Sequence, residues 1–194
     1  MKEVILLGMG ATLIKCPYDT EVWGVNKVYR MARKLDKLFI TDRRYYPDGT
    51  PSWDFDELNS LNIPIVSLHR YPEIKKLVRY PYSKVIERFG GMGYEFFTNS
   101  ICYMIAYALY KGYEKIRMYG VDMSDQKEYI LERGGVEYWV GRAEGMGVVM
   151  ENTKGSTVCK PPMGVPYGFK LHIDYKEIDP DNLLGRKRCK SGCQ

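Results

Sequence analysis

Histidine is nearly absent: His69 and His172 are the only two in 194 residues. Neither has a carboxylate partner identifiable in the sequence, which makes a histidine general base the less favoured source of any catalysis. No apolar run approaches the roughly 18–20 residues of a membrane span. Met-Lys-Glu leads straight into a short strand-like run, without the pattern of a signal peptide. These absences predict a soluble, cytoplasmic protein with no membrane partner. Of the five cysteines, Cys16, Cys102 and Cys159 are scattered. Cys189 and Cys193 lie close together, but no second Cys/His pair at zinc-finger spacing accompanies them. Reduced thiols are the expectation in such a compartment.

A basic surface is missing too. The net charge is +5, but Arg186, Lys187, Arg188 and Lys190 crowd the last ten residues, and the rest is close to neutral. That excludes the domain-wide patch of a dedicated nucleic-acid binder. Residues 185–194 read as a solvated basic tail, able to touch nucleic acid only weakly.

What is present is ordinary globular material, 45% hydrophobic and 27% charged, enough for one domain over residues 1–184. Short apolar runs alternate with helical periodicity. Strands are predicted at Val4–Gly8, Glu21–Val25, "KLFITD", "IPIVSL", "KIRMYGVD" and "GVVMEN". Between them, "NKVYRMARKL" spaces Val28, Met31, Ala32 and Leu35 as a helix, and "DFDELNSL" reads as a short one. A third helix follows the capping cluster Thr98, Asn99, Ser100 and stops at Gly112. A fourth carries Val136, Trp139, Val140 and Ala143. Residues from Arg70 to Gly93, punctuated by Pro72, Pro81 and "GGMG", read as an irregular excursion. The fold class is therefore α/β: a single Rossmann-like domain, its sheet mostly parallel, helices on both faces, and an irregular C-terminal wrap.

Ligands of open parallel sheets bind beyond the carboxyl ends of the strands. Three groups converge there: the Gly8–Thr12 loop, Asn26 with Asp42, and Asp122 with Ser124 and Asp125. "GMGAT" frees backbone at Gly8 and Gly10 and adds the Thr12 hydroxyl, so it reads as a phosphate cradle or as a tight turn. Leu13 stands where G-x-G-x-x-G needs its third glycine, and no P-loop Gly-Lys-Ser/Thr follows. Asn26 either caps the next helix or reads a ribose or base edge. Asp122 and Asp125 either bind a magnesium ion and act as base, or are solvated acids on a capped loop. No organic cofactor is implied. Tyr45, Tyr46, Tyr71, Tyr80, Tyr82 and Tyr94 fall in predicted loops, where their rings wall a ligand or pack irregular chain.

"VILLGMGATL…VWGVNKVYRMARKLDKLFITD" and "FFTNSICYMIAYALYKGYEKIRMYGVDMSD" followed by "EYWVGRAEGMGV" resemble a group of uncharacterised, largely bacteriophage-borne proteins. The combination is also similar to bacterial sialyltransferases and to the archaeal hydroxymethylpterin diphosphokinase-like family. The resemblance spans roughly the first 150 residues. It implies a nucleotide held by Gly8, Gly10, Thr12, Asn26, Asp42, Thr98, Asn99 and Ser100, with Asp122 ending a later strand. Sialyltransferases use a histidine after that aspartate. Here "QKEYILERGGVEYWV" has none, and Tyr129, Tyr138 or His172 would have to substitute. The expected function is nucleotide-dependent group transfer from a nucleotide sugar to an acceptor. The alternatives are a phage protein that sequesters a nucleotide signal, and magnesium-dependent diphosphate transfer.

Overall fold

Val4, Ile5, Leu6 and Leu7 of the first strand, β1 (Glu3–Leu7), are all fully buried. Successive strand residues face opposite sides, so an unbroken apolar run demands a covered layer on both faces. The computed structural model, which describes residues 1–90, 96–123, 127–161 and 166, supplies both. Strands β2 (Glu21–Val25), β3 (Lys37–Ile40), β4 (Ile65–Ser67), β5 (Leu77–Arg79), β6 (Lys115–Tyr119) and β7 (Val149–Asn152) join β1 in one seven-stranded sheet. Its order is β5-β4-β3-β2-β1-β6-β7, and every neighbouring pair is parallel.

Val4, Leu6, Trp23, Val25, Phe39 and Val66 point to the face covered by α2 (Tyr82–Phe89), α3 (Ser100–Tyr110) and α4 (Lys127–Gly145). Ile5, Leu7, Val22, Leu38, Ile40 and Ile65 point the other way. That second face is closed by α1 (Phe55–Ser60), capped by Asp54, and by two 3-10 turns at Ala11–Lys15 and Asn26–Arg30. No described helix is long and apolar enough to cross a membrane. Of the predicted C-terminal wrap, residues 154–161 are described and pack on the turn after β6 through Ser156 and Thr157; most of the rest, and the basic tail, with His172, Cys189 and Cys193, lie outside the described residues.

Two expectations need correction. "NKVYRMARKL" is not an α-helix: only Asn26–Arg30 is helical, as a 3-10 turn, and Met31 is exposed. A ten-residue helix would be about 15 Å long, enough to run back along the sheet. But β2 ends at Val25 and β3 begins at Lys37, so Asp36 alone would remain for the turns at the two ends. The Arg70–Gly93 stretch, expected to be irregular, contributes β5 and α2. Pro81 stands at the N-cap of α2, where its missing N–H costs nothing, while Val85 and Phe89 bury one face.

At the amino edge of the sheet, the Glu21 carboxylate accepts from Trp23 Nε1 (2.6 Å), the Tyr113 hydroxyl and Lys37 Nζ (3.4 Å). Lys37 lies 4.4 Å from the Trp23 ring centroid. Burial opposes ionisation of Glu21, but the hydrogen bonds from Tyr113 and Trp23 and the Lys37 charge outweigh it and hold the carboxyl below its ordinary value. A carboxyl depressed by folding stabilises the protein above its unfolded pKa, and that contribution is lost as pH falls through the folded value. Melting curves against pH should therefore show wild type above Glu21→Gln at neutral pH, with the gap closing below about pH 4. A gap constant with pH would mean that the charge of Glu21 contributes nothing.

Candidate functional site

The chain steps outward from β1 to β5 and then returns to lay β6 on the other side of β1. Ligand clefts of open parallel sheets form at such a reversal. A cavity of about 440 Å³ opens there, beyond the carboxyl ends of β1 and β6. Gly8, Gly10, Asn26, Asp42 and Asp122 line it, together with Thr98, Asn99 and Ser100 at the start of α3. The structure thus brings together eight of the ten residues singled out in the sequence. Thr12 stands behind the wall, and Asp125, with Ser124, lies outside the described residues.

The Gly loop is built differently from the expectation. The N–H of Gly8 donates to Tyr119 O and that of Gly10 to Gly120 O, both at 2.8 Å. The glycines are there because β1 and β6 come too close for side chains. A Cβ on Gly8 would lie 2.3 Å from Gly120 O, and one on Gly10 would lie 2.6 Å from an Asp122 carboxylate oxygen. The N–H groups of Met9 and Ala11 have no acceptor among the described residues; Met9 lines the cavity.

Asp122 holds this loop in place. Its Oδ2 accepts from the Thr12 N–H at 2.9 Å, and its Oδ1 accepts from the Thr12 hydroxyl. The Thr12 oxygen in turn accepts from the Gly120 N–H at 2.9 Å. From the far side, the Thr157 hydroxyl donates at 2.9 Å within the turn, where the Asp122 and Met123 carbonyls both lie. Both Asp122 oxygens therefore bond to the loop, and Asp125, expected to share a metal or base role with it, lies outside the described residues. Among the described residues, no three His, Cys, Asp or Glu side chains are grouped to hold a metal ion. Thr12→Val removes both hydroxyl contacts and leaves the buried Gly120 N–H without an acceptor. It should cost about 1–3 kcal/mol, read as a lower thermal midpoint; an unchanged midpoint would show that the clasp is slack.

Asn26 does not cap a helix. It adopts φ +51°, Val25 occupies the cap position, and no side-chain cap bond forms. Its Oδ1 is buried without a hydrogen-bond partner. A non-glycine residue in the left-handed region carrying an unpaired buried acceptor is a configuration that functional sites retain. The cap of α3 is Asn99, whose Oδ1 accepts from the N–H groups of Ile101 (3.0 Å) and Cys102 (3.2 Å). Ser100 instead reaches across to the Thr41 hydroxyl at 2.5 Å, tying α3 to the end of β3. The Tyr71 hydroxyl donates to Asp42 O at 2.8 Å.

The lining was only partly legible. Met9, Thr41, Leu68, Phe97, Tyr103, Met123 and Glu132 also face the cavity. Thr41 could have been found, since it adjoins Asp42 at a strand end. Glu132 could not, because nothing in its spacing separates it from the other polar residues of its helix. Tyr71 and Tyr80 are buried in the core and Tyr82 starts α2. Tyr45 and Tyr46 remain half exposed on the loop after β3; Tyr94 lies outside the described residues. Charge is one-sided among the described residues: Asp42, Asp122 and Glu132 line the cavity, and no described lysine, arginine or histidine does.

No family model matches the chain, and no curated protein matches it by sequence. Solved structures do. The sialyltransferase CstII from Campylobacter jejuni, in complex with CMP-3FNeuAc, is 17% identical with a TM-score of 0.50, over 78% of this chain and 80% of that one. CstII in complex with a trisaccharide acceptor and CMP is 16% identical with a TM-score of 0.52, over the same shares. The fold is sialyltransferase-like. At this identity the likeness is one of fold, and function has to be argued from the site.

Proposed function

We propose that the chain transfers a sugar from a nucleoside-monophosphate-linked donor to an acceptor. The observation that carries this reading is Asn26, which lines the switch-point cavity and holds an unpaired buried acceptor, in a lining with no cation among the described residues. An unpaired acceptor calls for a ligand that donates a hydrogen bond, as a nucleotide's ribose hydroxyls or base amino group do. Carboxylate walls repel any phosphate, and the single charge of a phosphodiester least. A diphosphate would meet more repulsion, which a magnesium ion bridging it to these carboxylates would have to relieve, so the one-phosphate donor is the simpler fit. The fold supports the same reading, since the CstII structures hold CMP and a CMP-sugar analogue.

In this reading the Met9 N–H and Ser100 at the positive end of α3 receive the phosphate. Asn26 and Asp42 orient the nucleoside, and Gly8 and Gly10 let the backbone approach. Thr98 and Asn99 hold the helix end, and Thr12 with Asp122 keeps the loop in shape. The lack of a histidine in the lining favours a second reading, a binding protein that sequesters a nucleotide. Incubation of the full chain with CMP-N-acetylneuraminic acid and with uridine-diphosphate sugars separates the two. Release of CMP, followed by chromatography, is the expected result. A thermal shift with CMP but no release would favour the sequestering protein, and no shift with any nucleotide would overturn both.

A further inference from the structure

Resting on the transferase reading above, we infer that the Glu132 carboxylate is the base that takes the proton from the acceptor hydroxyl. Transfer requires such a group, and among the described residues the lining holds no histidine, lysine, arginine or cysteine. Of its three carboxylates, Asp122 is committed through both oxygens to Thr12. Asp42 follows β3, on the side that the nucleoside occupies in this reading. Glu132 enters the cavity from α4.

Three sequence features converge to hold it there. The Asn99 Oδ1 accepts two helix N–H groups, which fixes the amide's orientation. Its Nδ2 is thereby turned outward and donates to Glu132 Oε2 at 3.0 Å. The Thr98 hydroxyl donates to the backbone carbonyl of Glu132 at 2.6 Å, pinning the same turn of α4. Gly135 lies one turn further on. A Cβ there would stand 2.1 Å from Thr98 Oγ1, so the junction closes only with glycine at that position. A carboxylate oriented by a fixed amide is how a positioned base is built. In the step itself, the acceptor oxygen forms its bond to the anomeric carbon. The bond from that carbon to the phosphate oxygen breaks, and its electron pair leaves with the nucleoside monophosphate. The acceptor proton passes to Glu132, which returns it to water after release.

The test uses hydrolysis of CMP-N-acetylneuraminic acid, with water as the acceptor, in the full chain. Glu132→Gln keeps a side-chain carbonyl for the Asn99 amide, so its melting temperature should stay near wild type, and its CMP affinity should hold or rise as one like charge leaves the cavity. Its kcat should fall by about 100-fold or more, the lower range for loss of a general base, with KM little changed. Glu132→Asp, which keeps the charge on a shorter arm, should recover part of the rate. A glutamine variant turning over within threefold of wild type would overturn the assignment and leave the transferase reading standing. A loss of CMP affinity parallel to the loss of rate would overturn it in favour of a purely structural tie between α3 and α4. Wild type that neither binds CMP nor hydrolyses the donor would overturn the transferase reading, and this inference with it.

Discussion

Changing Asn26 to Asp lowers nucleotide affinity by about 100-fold or more and leaves the fold standing. The substitution is isosteric, and aspartate tolerates the left-handed backbone at φ +51° nearly as well as asparagine does. It adds a carboxylate to a cavity whose described lining already carries Asp42, Asp122 and Glu132 and no cation. Like charges brought together across an interface cost several kcal/mol, and 100-fold corresponds to about 2.7 kcal/mol. Both side chains can accept at the Oδ1 position, so the substitution keeps that acceptor while it adds the charge and exchanges the Nδ2 donor for an acceptor. Calorimetric titration with CMP, beside a melting curve, checks it. Unchanged affinity in the folded variant would place the nucleotide elsewhere.

Valine at Gly120 is expected to have the largest effect on stability. This residue sits at φ +67°, and its missing Cβ would lie 2.4 Å from Gly8 O and 2.8 Å from Gly8 C. Those are backbone atoms of the loop that follows β1, so no side chain can swing away to make room. Left-handed strain and overpacking each cost about 1–3 kcal/mol. For a domain of this size that lowers the melting temperature by roughly 10 °C or more. Gly112→Ala is the control: φ is +71° there, but nothing lies within 4 Å. Only the strain of about 1–2 kcal/mol applies. Equal losses in the two variants would mean that strain alone matters and that the close approach of β1 and β6 is unimportant.

The sheet and its site were legible to different depths, for physical reasons. Val4–Leu7 announces a doubly covered strand because apolarity without alternation has no other stable home. Helix α3 announces itself because Ile101, Met104, Ile105, Ala108 and Leu109 share one face and a cap precedes them. Local patterning fails where partners are distant in sequence. The Gly8 and Gly10 N–H groups look available in the sequence because Tyr119 and Gly120, which take them, lie 110 or more residues away. Asp122 reads as a ligand for the same reason, its partner Thr12 being equally remote. The helix read into "NKVYRMARKL" has the right periodicity but too few flanking residues to turn. Pro81 reads as a breaker, although at the N-cap it starts α2. Glu132 acquires its position only when α4 packs on Thr98 and Asn99.

The central claim is that the cavity between β1 and β6 holds a nucleotide by one phosphate. A crystal structure of the chain grown with CMP tests it most directly. The predicted result is a phosphate within hydrogen-bond distance of the Met9 N–H and Ser100, with a donor group of the nucleoside facing Asn26 Oδ1. CMP bound at any other surface, or a cavity left without it at saturating concentration, would contradict it.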